Sequence, residues 1–206
     1  MRTELNVPFK EKDIVKKMGA KWDPEKKVWY VPSGVNLEDF KRWIVTIHNP
    51  GINFRADYFF IAETSGRCWK CSKNTRFISL GLYPGFLTEV LEEDENHPSE
   101  ISSVWIEHDF YALLYYVREI SEDVCCHMQS LSSFYKIDHS STAKRSYWMN
   151  HCEYCGAKQG DFMEYCEPDG LFYGDHIGSH IILHNISEEL VVNCDSYNPC
   201  SILEDN

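Results

Sequence analysis

Two short cysteine pairs are the residues of this sequence with the clearest chemistry. They are Cys68-Trp-Lys-Cys71 and Cys152-Glu-Tyr-Cys155. A Cys-x-x-Cys step lets two thiolates converge from a tight turn, and two such turns facing each other supply the tetrahedral sulfur cage that zinc prefers. The spacing therefore predicts one structural zinc ion bound by Cys68, Cys71, Cys152 and Cys155. Because a cage closed by four thiolates leaves no coordination position for water or substrate, we expect it to stabilise the fold without catalysis.

The other cysteines carry weaker signals. A redox function for either pair requires a thioredoxin-like βαβ context, which neither pair has. The unpaired cysteines are expected to be buried or inactive thiols. A Cys-His nucleophile that uses Cys126 or Cys166 stays open, because such partners meet only in the folded chain. The unpaired cysteines are Cys125, Cys126, Cys166, Cys194 and Cys200.

Three histidines recur at every fourth position, namely His176, His180 and His184. On a helix they would line one face and form a second metal site. Gly178 and the β-branched pair that begins at Ile181 favour a turn and a strand instead, which would scatter the imidazoles. Both alternatives stay open.

Polar residues close to the second cysteine pair are candidates for hydrogen bonds to the thiolates. These are Gln159, Asp161, Asp138 and His139, and contacts of this kind orient metal ligands. The sequence contains no phosphate-binding glycine loop, no His-Glu-x-x-His and no Gly-x-Ser-x-Gly element. Nothing in the sequence positively supports an enzyme.

Length and composition indicate a folded protein. The chain has 206 residues, of which 43% are hydrophobic and 14% aromatic, enough to bury a core. The first residues lack the apolar segment of a secretory signal, and no stretch approaches the roughly 20 apolar residues that span a membrane. We therefore expect a cytoplasmic protein, whose cysteines are metal ligands and free thiols rather than disulfides.

The charge is unevenly distributed along the chain. The formal net charge is −12, yet residues 1–44 hold ten Lys and Arg against seven Asp and Glu, whereas residues 45–206 hold ten against twenty-five. An acidic body repels nucleic acid at long range. Contact with nucleic acid is therefore expected from the N-terminal segment or from a local patch.

Residues 1–47 are predicted to form a small β-α-β-α module. Residues 5–9 read as a strand, and residues 11–18 as a helix that ends at Gly19. A turn is expected at residues 22–25, followed by a β-prone strand at 28–31 and a second helix that begins near Asn36.

Aromatic and basic residues alternate in this module and could form a surface that stacks on bases and contacts phosphates of single-stranded nucleic acid. The alternative is that the indoles form the core while the lysines are solvated. The residues concerned are Trp22, Trp29, Tyr30 and Trp43, with Lys10, Lys12, Lys16, Lys17, Lys21, Lys26 and Lys27.

The N-terminal segment also resembles a known family. Leu5-Asn-Val-Pro-Phe-Lys-Glu-Lys-Asp13, Gly19-Ala-Lys-Trp-Asp23 and Lys27-Val-Trp-Tyr-Val-Pro32 are similar to a small uncharacterised domain found beside DNA primases of conjugative plasmids and in other mobile-element proteins. The resemblance covers about the first 44 residues. It implies a nucleic-acid-processing neighbourhood and no particular chemistry.

Residues 48–206 are predicted to form a zinc-ribbon domain with a mainly helical insertion at about 84–146. Strands are expected on both sides of each cysteine pair, at 57–63, 76–80, 147–150 and 161–165, after a linker at 48–56. The apolar positions 106, 110, 113, 117 and 120 have helical spacing, and an acidic loop is expected at 92–96. Further strands are expected at 181–183 and 190–192. The fold class predicted is therefore α+β.

The segment Asn150-His-Cys-Glu-Tyr-Cys-Gly-Ala-Lys-Gln-Gly-Asp-Phe162 resembles uncharacterised bacterial zinc-ribbon-like proteins. That resemblance implies a metal cage and no substrate.

Three functions are compatible with the sequence. The preferred hypothesis is a non-catalytic zinc-binding accessory protein that contacts nucleic acid or a nucleic-acid-processing enzyme. The second is an acidic interaction module, an inhibitor or mimic, that occupies the basic surface of a protein partner. The third is a hydrolase whose site forms only in the fold.

Overall fold

The computed structural model describes residues 3–5, 7–24, 26–43, 51–93, 101–174, 176–177 and 180–202. The described residues are mostly β, and strands take up far more of them than helices do. The predicted α+β class with a helical insertion is therefore wrong. Within the described ranges, no helix combines the length and hydrophobicity that a membrane span requires.

The strands are numbered in chain order. They are β1 (Thr3–Leu5), β2 (Lys21–Asp23), β3 (Val28–Val31), β4 (Phe54–Ala56), β5 (Phe59–Arg67), β6 (Asn74–Leu82), β7 (Phe86–Glu93), β8 (Ile101–His108), β9 (Tyr111–Ile120), β10 (Tyr135–Ser140), β11 (Arg145–His151), β12 (Lys158–Gln159), β13 (His176–Ile177), β14 (Ile182–Ile186) and β15 (Leu190–Ile202). The α-helices are α1 (Lys12–Lys17), α2 (Glu122–Leu131) and α3 (Asp161–Tyr165), and 3₁₀ turns occupy Phe9–Glu11 and Glu38–Trp43.

The chain divides into two compact units. The first contains residues 1–50 and 87–107, and the second contains residues 51–86 and 108–206. The boundary that the sequence predicts at residue 47 lies outside the described residues and stays a prediction. The predicted linker also begins outside them, and its last residues are strand β4, which pairs with β15.

The N-terminal part of the first unit is a three-stranded antiparallel sheet in the order β1-β3-β2. Trp22 pairs with Trp29 across β2 and β3, so the first two residues of the turn predicted at 22–25 are strand and the turn begins at Pro24. The second predicted helix is a 3₁₀ segment. The side chain of Asn36, two residues before it, accepts a hydrogen bond from the amide of Glu38, its first residue. The core of this sheet consists of Leu5, Val15, Ala20, Val31, Phe40 and Trp43.

The second unit is built on a sheet with the strand order β14-β5-β6-β9-β15-β4, whose neighbours are antiparallel. Strand β11 pairs with β9, β10 and β12, and the short strand β13 runs parallel to β15. The strands expected near residues 181–183 and 190–192 are present as β14 and the start of β15.

The central strands are buried on both faces. Along β5, Phe59 and Ile61 belong to one apolar cluster, whereas Phe60 and Ala62 belong to another. A Cβ atom on Gly81, opposite Phe60, would lie 2.0 Å from the Phe60 ring, so this glycine makes room for the ring. A strand buried on both faces is apolar at consecutive positions instead of alternate ones.

The burial of these strands on both faces of the sheet explains why the predicted insertion at 84–146 is not mainly helical. Leu113 and Leu114 are adjacent and pack into opposite clusters, as only a strand permits. A continuous apolar run also contains residues at helical spacing, so periodicity alone does not separate the two structures. The described residues of this segment form β7 to β10 and one helix, α2, which Ser121 caps by accepting a hydrogen bond from the Val124 amide. Of the predicted acidic loop, residues 94–96 lie outside the described residues.

The segment 161–165, predicted as a strand, is the helix α3. Asp161 and Tyr165 are buried and Phe162 and Met163 are exposed, which is the pattern of a helix with one buried face. The carboxylate of Asp161 accepts a hydrogen bond of 2.7 Å from the backbone amide of Tyr116. Tyr116 has a φ of 55°, an uncommon conformation for an aromatic residue. Asp161 therefore supports an irregular point of strand β9.

Burial raises the pKa of Asp161 to about 7, although the Tyr116 amide favours the ionised form. In the unfolded chain the carboxyl ionises near its ordinary pKa of about 3.9. Between these values the folded state holds a proton that the unfolded state has released, so stability falls as the pH rises and levels off above about pH 7.

We expect Asp161→Asn to become increasingly more stable than the wild type as the pH rises from about 5 to about 8. The asparagine oxygen can still accept the Tyr116 hydrogen bond, and the cost of the buried charge is removed. The gain at neutral pH is up to about 4 kcal/mol, since each pKa unit corresponds to about 1.4 kcal/mol. Denaturant unfolding at several pH values measures it. The exposed Asp169→Asn is the control, and a pH-independent difference for Asp161→Asn would contradict the prediction.

Candidate metal centre

The first cysteine pair lies in the turn between β5 and β6. The amide of Cys68 donates to the carbonyl of Lys73, and the amide of Ser72 donates to the carbonyl of Cys68, each at 2.9 Å. Ser72 has a φ of 58°, which reverses the chain direction immediately after the second cysteine. This hydrogen-bonded knuckle turns the thiols of Cys68 and Cys71 to the same side.

The second cysteine pair has the same backbone arrangement between β11 and β12. The amide of Cys152 donates to the carbonyl of Ala157 at 2.8 Å, and the amide of Gly156 donates to the carbonyl of Cys152 at 2.9 Å. Gly156 has a φ of 67° at the position that Ser72 occupies in the first knuckle. Glycine adopts this conformation without steric cost.

The four thiols converge, as the sequence predicts. The Sγ atoms of Cys68 and Cys155 are 3.7 Å apart, those of Cys71 and Cys152 are 3.6 Å apart, and all four lie within 4.8 Å of one another. A regular tetrahedron of sulfurs around zinc, with Zn–S bonds of about 2.3 Å, has edges of about 3.8 Å. The separations are far longer than the S–S bond of a disulfide, about 2.05 Å. The donor set and its spacing fit one tetrahedral metal ion.

Polar side chains join the two knuckles independently of any metal. The buried side chain of Asn150 on β11 accepts from the Ile78 amide and donates to the Ile78 carbonyl, both at 3.0 Å. The amide of Glu153 donates to the hydroxyl of the buried Thr75 at 3.0 Å. The Glu153 carboxylate accepts from the Arg76 amide at 3.3 Å. These contacts link β6 to the second knuckle and were not identified from the sequence, since nothing in it pairs positions so far apart.

The local hydrogen bonds favour ionised sulfur at Cys68. Burial opposes ionisation, but hydrogen bonds with the amides of Cys71 and Lys70 and with the thiols of Cys152 and Cys155 together lower the pKa of the Cys68 thiol to about 6. The amide of Lys70 donates to the Cys68 sulfur at 3.4 Å. At Cys155 the Ala157 amide favours the thiolate, yet burial and the neighbouring cysteines raise the pKa to about 11. Thiolates this close repel one another, and a divalent cation among them would remove that penalty.

Of the polar residues expected around the thiolates, Gln159 makes such a contact. Its Nε2 donates to the Cys68 sulfur at 3.4 Å and to the Ala157 carbonyl at 2.8 Å, and the side chain is buried. Asp161 instead binds the Tyr116 amide. Asp138 pairs with Lys158 at 2.9 Å and with His151 at 3.1 Å. Hydrogen bonds from these partners, Lys158 first, hold the pKa of the Asp138 carboxyl below its usual range.

The histidine cluster does not form on a helix. His176 lies in β13 and His184 in β14, and the side chain of His176 is outside the described structure. His180 is exposed, and the Nε2 of His184 is 2.7 Å from a carboxylate oxygen of Glu63. Among the described residues, the four cysteines are the one group of three or more potential ligands that converges.

The remaining cysteines are free thiols. Cys194 is buried, and its sulfur donates to the carbonyls of Tyr115 at 2.9 Å and Ser196 at 3.0 Å. Burial raises the pKa of Cys194 and of Cys200 to about 12, which keeps both thiols protonated and unreactive at neutral pH.

The N-terminal aromatic residues have different environments. Trp43 is buried and donates its indole N–H to Glu11 at 2.5 Å, and Trp29 packs against the core of its unit. Trp22 is 48% exposed and its ring lies 5.6 Å from that of Trp29, between centroids. Lys12 of the predicted surface is partly buried, and its other six lysines are exposed, namely Lys10, Lys16, Lys17, Lys21, Lys26 and Lys27.

A polar cleft of about 300 Å³ lies beside the second knuckle and is lined in part by Glu63, Arg76, Glu153 and His180. Arg76 binds the Glu63 carboxylate at 3.0 Å, and His184 binds its other oxygen. Carboxylates already engaged in this way form a structural network. The cleft therefore gives the hydrolase hypothesis no specific support.

Residues 2–44 match a family described as a domain of unknown function, DUF5710. Two proteins called DNA primase TraC from Escherichia coli are 57% and 48% identical to this chain over 42 residues, which is 20% of this chain and 4% and 3% of theirs. No solved structure matches the chain. The N-terminal resemblance is confirmed, whereas no family match shows the zinc-ribbon resemblance of the second unit. The similarity thus covers the N-terminal fifth of this chain and a very small part of the primases.

Proposed function

We propose that Cys68, Cys71, Cys152 and Cys155 bind one structural zinc ion. The spacing of the sulfurs and the matched hydrogen bonds of the two knuckles support this assignment. Zinc accepts four thiolates in a tetrahedron without distortion. The site closes the segment between the knuckles into a loop, so metal binding would contribute directly to folding. Free thiols throughout the described chain agree with a cytoplasmic location, where thiols stay reduced.

We further propose that the protein is a non-catalytic accessory protein that contacts single-stranded nucleic acid or a nucleic-acid-processing enzyme. The observation that carries this proposal is the similarity of the N-terminal segment to part of two DNA primases. The similarity is confined to this segment, so we infer that the segment has the same role in this chain and in its relatives. Because the relatives are called DNA primases, that role is expected to involve nucleic acid. No titratable group of the cysteine cage is left to act on a substrate once zinc is bound.

The N-terminal surface has the chemistry that this role requires. Trp22 lies on the edge strand β2 and is about half exposed, next to the exposed Lys21. Phe9 is 79% exposed, and the ammonium of Lys12 lies 3.7 Å from the centre of its ring. Exposed rings stack on bases and lysines contact phosphates. Trp29 and Trp43 support the fold of the module instead, so the aromatic contribution would come from Trp22 and Phe9.

Replacing one knuckle ligand tests the zinc proposal. We expect the wild type to contain one zinc ion per chain by elemental analysis, and Cys152→Ser to lose the metal. The loss of a structural metal costs about 4 kcal/mol or more, which for a chain of this length lowers the melting temperature by about 10 °C. Cys126→Ser, an exposed cysteine on α2, is the control and should change neither quantity. A Cys152→Ser protein with full zinc content or wild-type melting would refute the cage.

The hydrogen bond from Gln159 to Cys68 should tune zinc affinity. Gln159→Glu replaces an N–H donor by a carboxylate that repels the thiolate, so we expect zinc to bind about 10- to 100-fold more weakly. Competition with a chromophoric chelator measures the affinity. Gln129→Glu, an exposed position on α2, makes the same chemical change away from the site. Equal affinities for the two variants would show that Gln159 does not act on the metal.

The N-terminal module should bind single strands in a salt-dependent manner. We expect Trp22→Ala to weaken binding of a labelled oligothymidylate about 5- to 100-fold, because a stacking contact is lost. Lys21→Glu should remove one phosphate contact, so the plot of log affinity against log salt should become shallower by about 0.7. Lys136→Glu on β10 is the control for charge.

The same titration separates the competing functions. Failure of the full chain to bind at low salt, or binding that salt does not affect, would count against the nucleic-acid contact. Retention of a basic protein by the wild type, in the absence of nucleic-acid binding, would favour the acidic interaction module.

A further inference from the structure

Two aromatic rings project into solvent from the tips of the cysteine knuckles. Trp69 and Tyr154 lie between the cysteines of their respective pairs, and they are 72% and 60% exposed. The thiols turn inwards to the cage, so these intervening side chains turn outwards. Tyrosine and tryptophan are enriched at interaction surfaces, so two such exposed rings point to an interaction here.

Each ring is held by a residue that belongs to the other half of the site. The indole N–H of Trp69 in the first knuckle donates to the carbonyl of Lys158, after the second knuckle, at 2.6 Å. The ammonium of Lys73, after the first knuckle, lies 4.8 Å from the centre of the Tyr154 ring. These contacts orient the rings, and most of each side chain stays exposed. A surface ordered in advance binds a ligand with less loss of entropy.

The first knuckle is basic within an otherwise acidic unit. Residues 66–76 contain Arg67, Lys70, Lys73 and Arg76 and no Asp or Glu, whereas residues 45–206 as a whole hold ten basic residues against twenty-five acidic ones. Arg76 is bound to Glu63. In the described part of the chain, no carboxylate pairs with the exposed Arg67, Lys70 or Lys73.

The metal cage explains only part of this pattern. Four thiolates around one divalent cation carry a net charge of −2, which nearby cations would offset. Charge compensation requires neither exposed rings nor a fixed orientation for them. Exposed rings beside cations that pair with no carboxylate are instead the combination that binds single strands, because the rings stack on bases and the cations contact phosphates.

We propose that the knuckle surface, defined as Arg67, Trp69, Lys70, Lys73 and Tyr154, binds single-stranded nucleic acid by stacking bases on the two rings. This inference rests on the proposed nucleic-acid contact and adds a second site to it, in the second unit of the chain. The few free cations and the acidic surroundings make stacking the main source of affinity, because the rest of the unit repels phosphate.

Cross-linking locates the bound strand directly. The full chain is irradiated with an oligothymidylate that carries 5-bromodeoxyuridine, and the linked peptides are identified by mass spectrometry. We expect cross-links at Trp69 and Tyr154. If the full chain binds but cross-links appear only within residues 1–44, the knuckle site is wrong while the proposed function stands. If the chain binds no oligonucleotide at low salt, both fail.

Paired substitutions separate stacking from support of the knuckles. We expect Trp69→Ala and Tyr154→Ala each to weaken binding about 5- to 100-fold. Trp69→Phe loses the hydrogen bond to Lys158 but keeps a ring, and Tyr154→Phe keeps the ring without the hydroxyl, so both should stay within about threefold of the wild type. Zinc content and melting temperature are measured for each variant to confirm that the cage is intact. Loss of binding in Trp69→Phe equal to that in Trp69→Ala would overturn the stacking role.

Lys70→Glu tests the electrostatic part. We expect Lys70→Glu to bind more weakly and to make the plot of log affinity against log salt shallower by about 0.7. The exposed Lys136→Glu in the same unit should change neither the affinity nor this slope. An equal effect of the two lysine variants would show that net charge, and not this surface, controls binding.

Discussion

The convergence of four sulfurs from two distant turns is the constraint on which the second unit depends. The sulfurs lie 3.6 to 3.7 Å apart, and four thiolates at this spacing would repel one another unless other interactions compensate. Part of that compensation is present in the protein itself. Asn150 binds both backbone groups of Ile78, and Thr75 binds the amide of Glu153, so β6 and β11 bring the knuckles together. A metal ion would then bind a site whose halves are already adjacent, which lowers the entropic cost of assembling it.

The sheet around the site follows from burial on both faces. Alternate residues of β5 and β9 enter two separate apolar clusters, and Gly81 is small because the Phe60 ring occupies the space over it. Strands packed in this way leave little of their side-chain surface for ligands. The exposed chemistry of the unit is consequently found at turns, where Trp69 and Tyr154 project from the knuckles. A rigid sheet with functional groups on its turns is a common division of roles in β proteins.

Aromatic and basic residues occur together in two places that differ in construction. In the N-terminal module Trp29 and Trp43 serve the core, and Trp22 and Phe9 stay exposed beside lysines. At the knuckles both rings are exposed and each is oriented by a residue from the other half of the site. A chain of net charge −12 would confine nucleic acid to such local patches, since long-range attraction is absent.

The sequence by itself determined the local features of this protein. The Cys-x-x-Cys spacing and Gly156 specify knuckles through backbone geometry, and the motifs of residues 5–32 identify the N-terminal segment, because these signals lie within a few residues of one another. Only the tertiary structure decided that residues 106–120 form strands, since the same apolar spacing suits a buried helix or a doubly buried strand until its neighbours are present. It also decided that Asn150, Thr75 and Gln159 support the site, and that Asp161 supports Tyr116 instead. The physical reason is that hydrogen bonds between remote segments depend on which strands pair, and pairing is settled by the whole core at once.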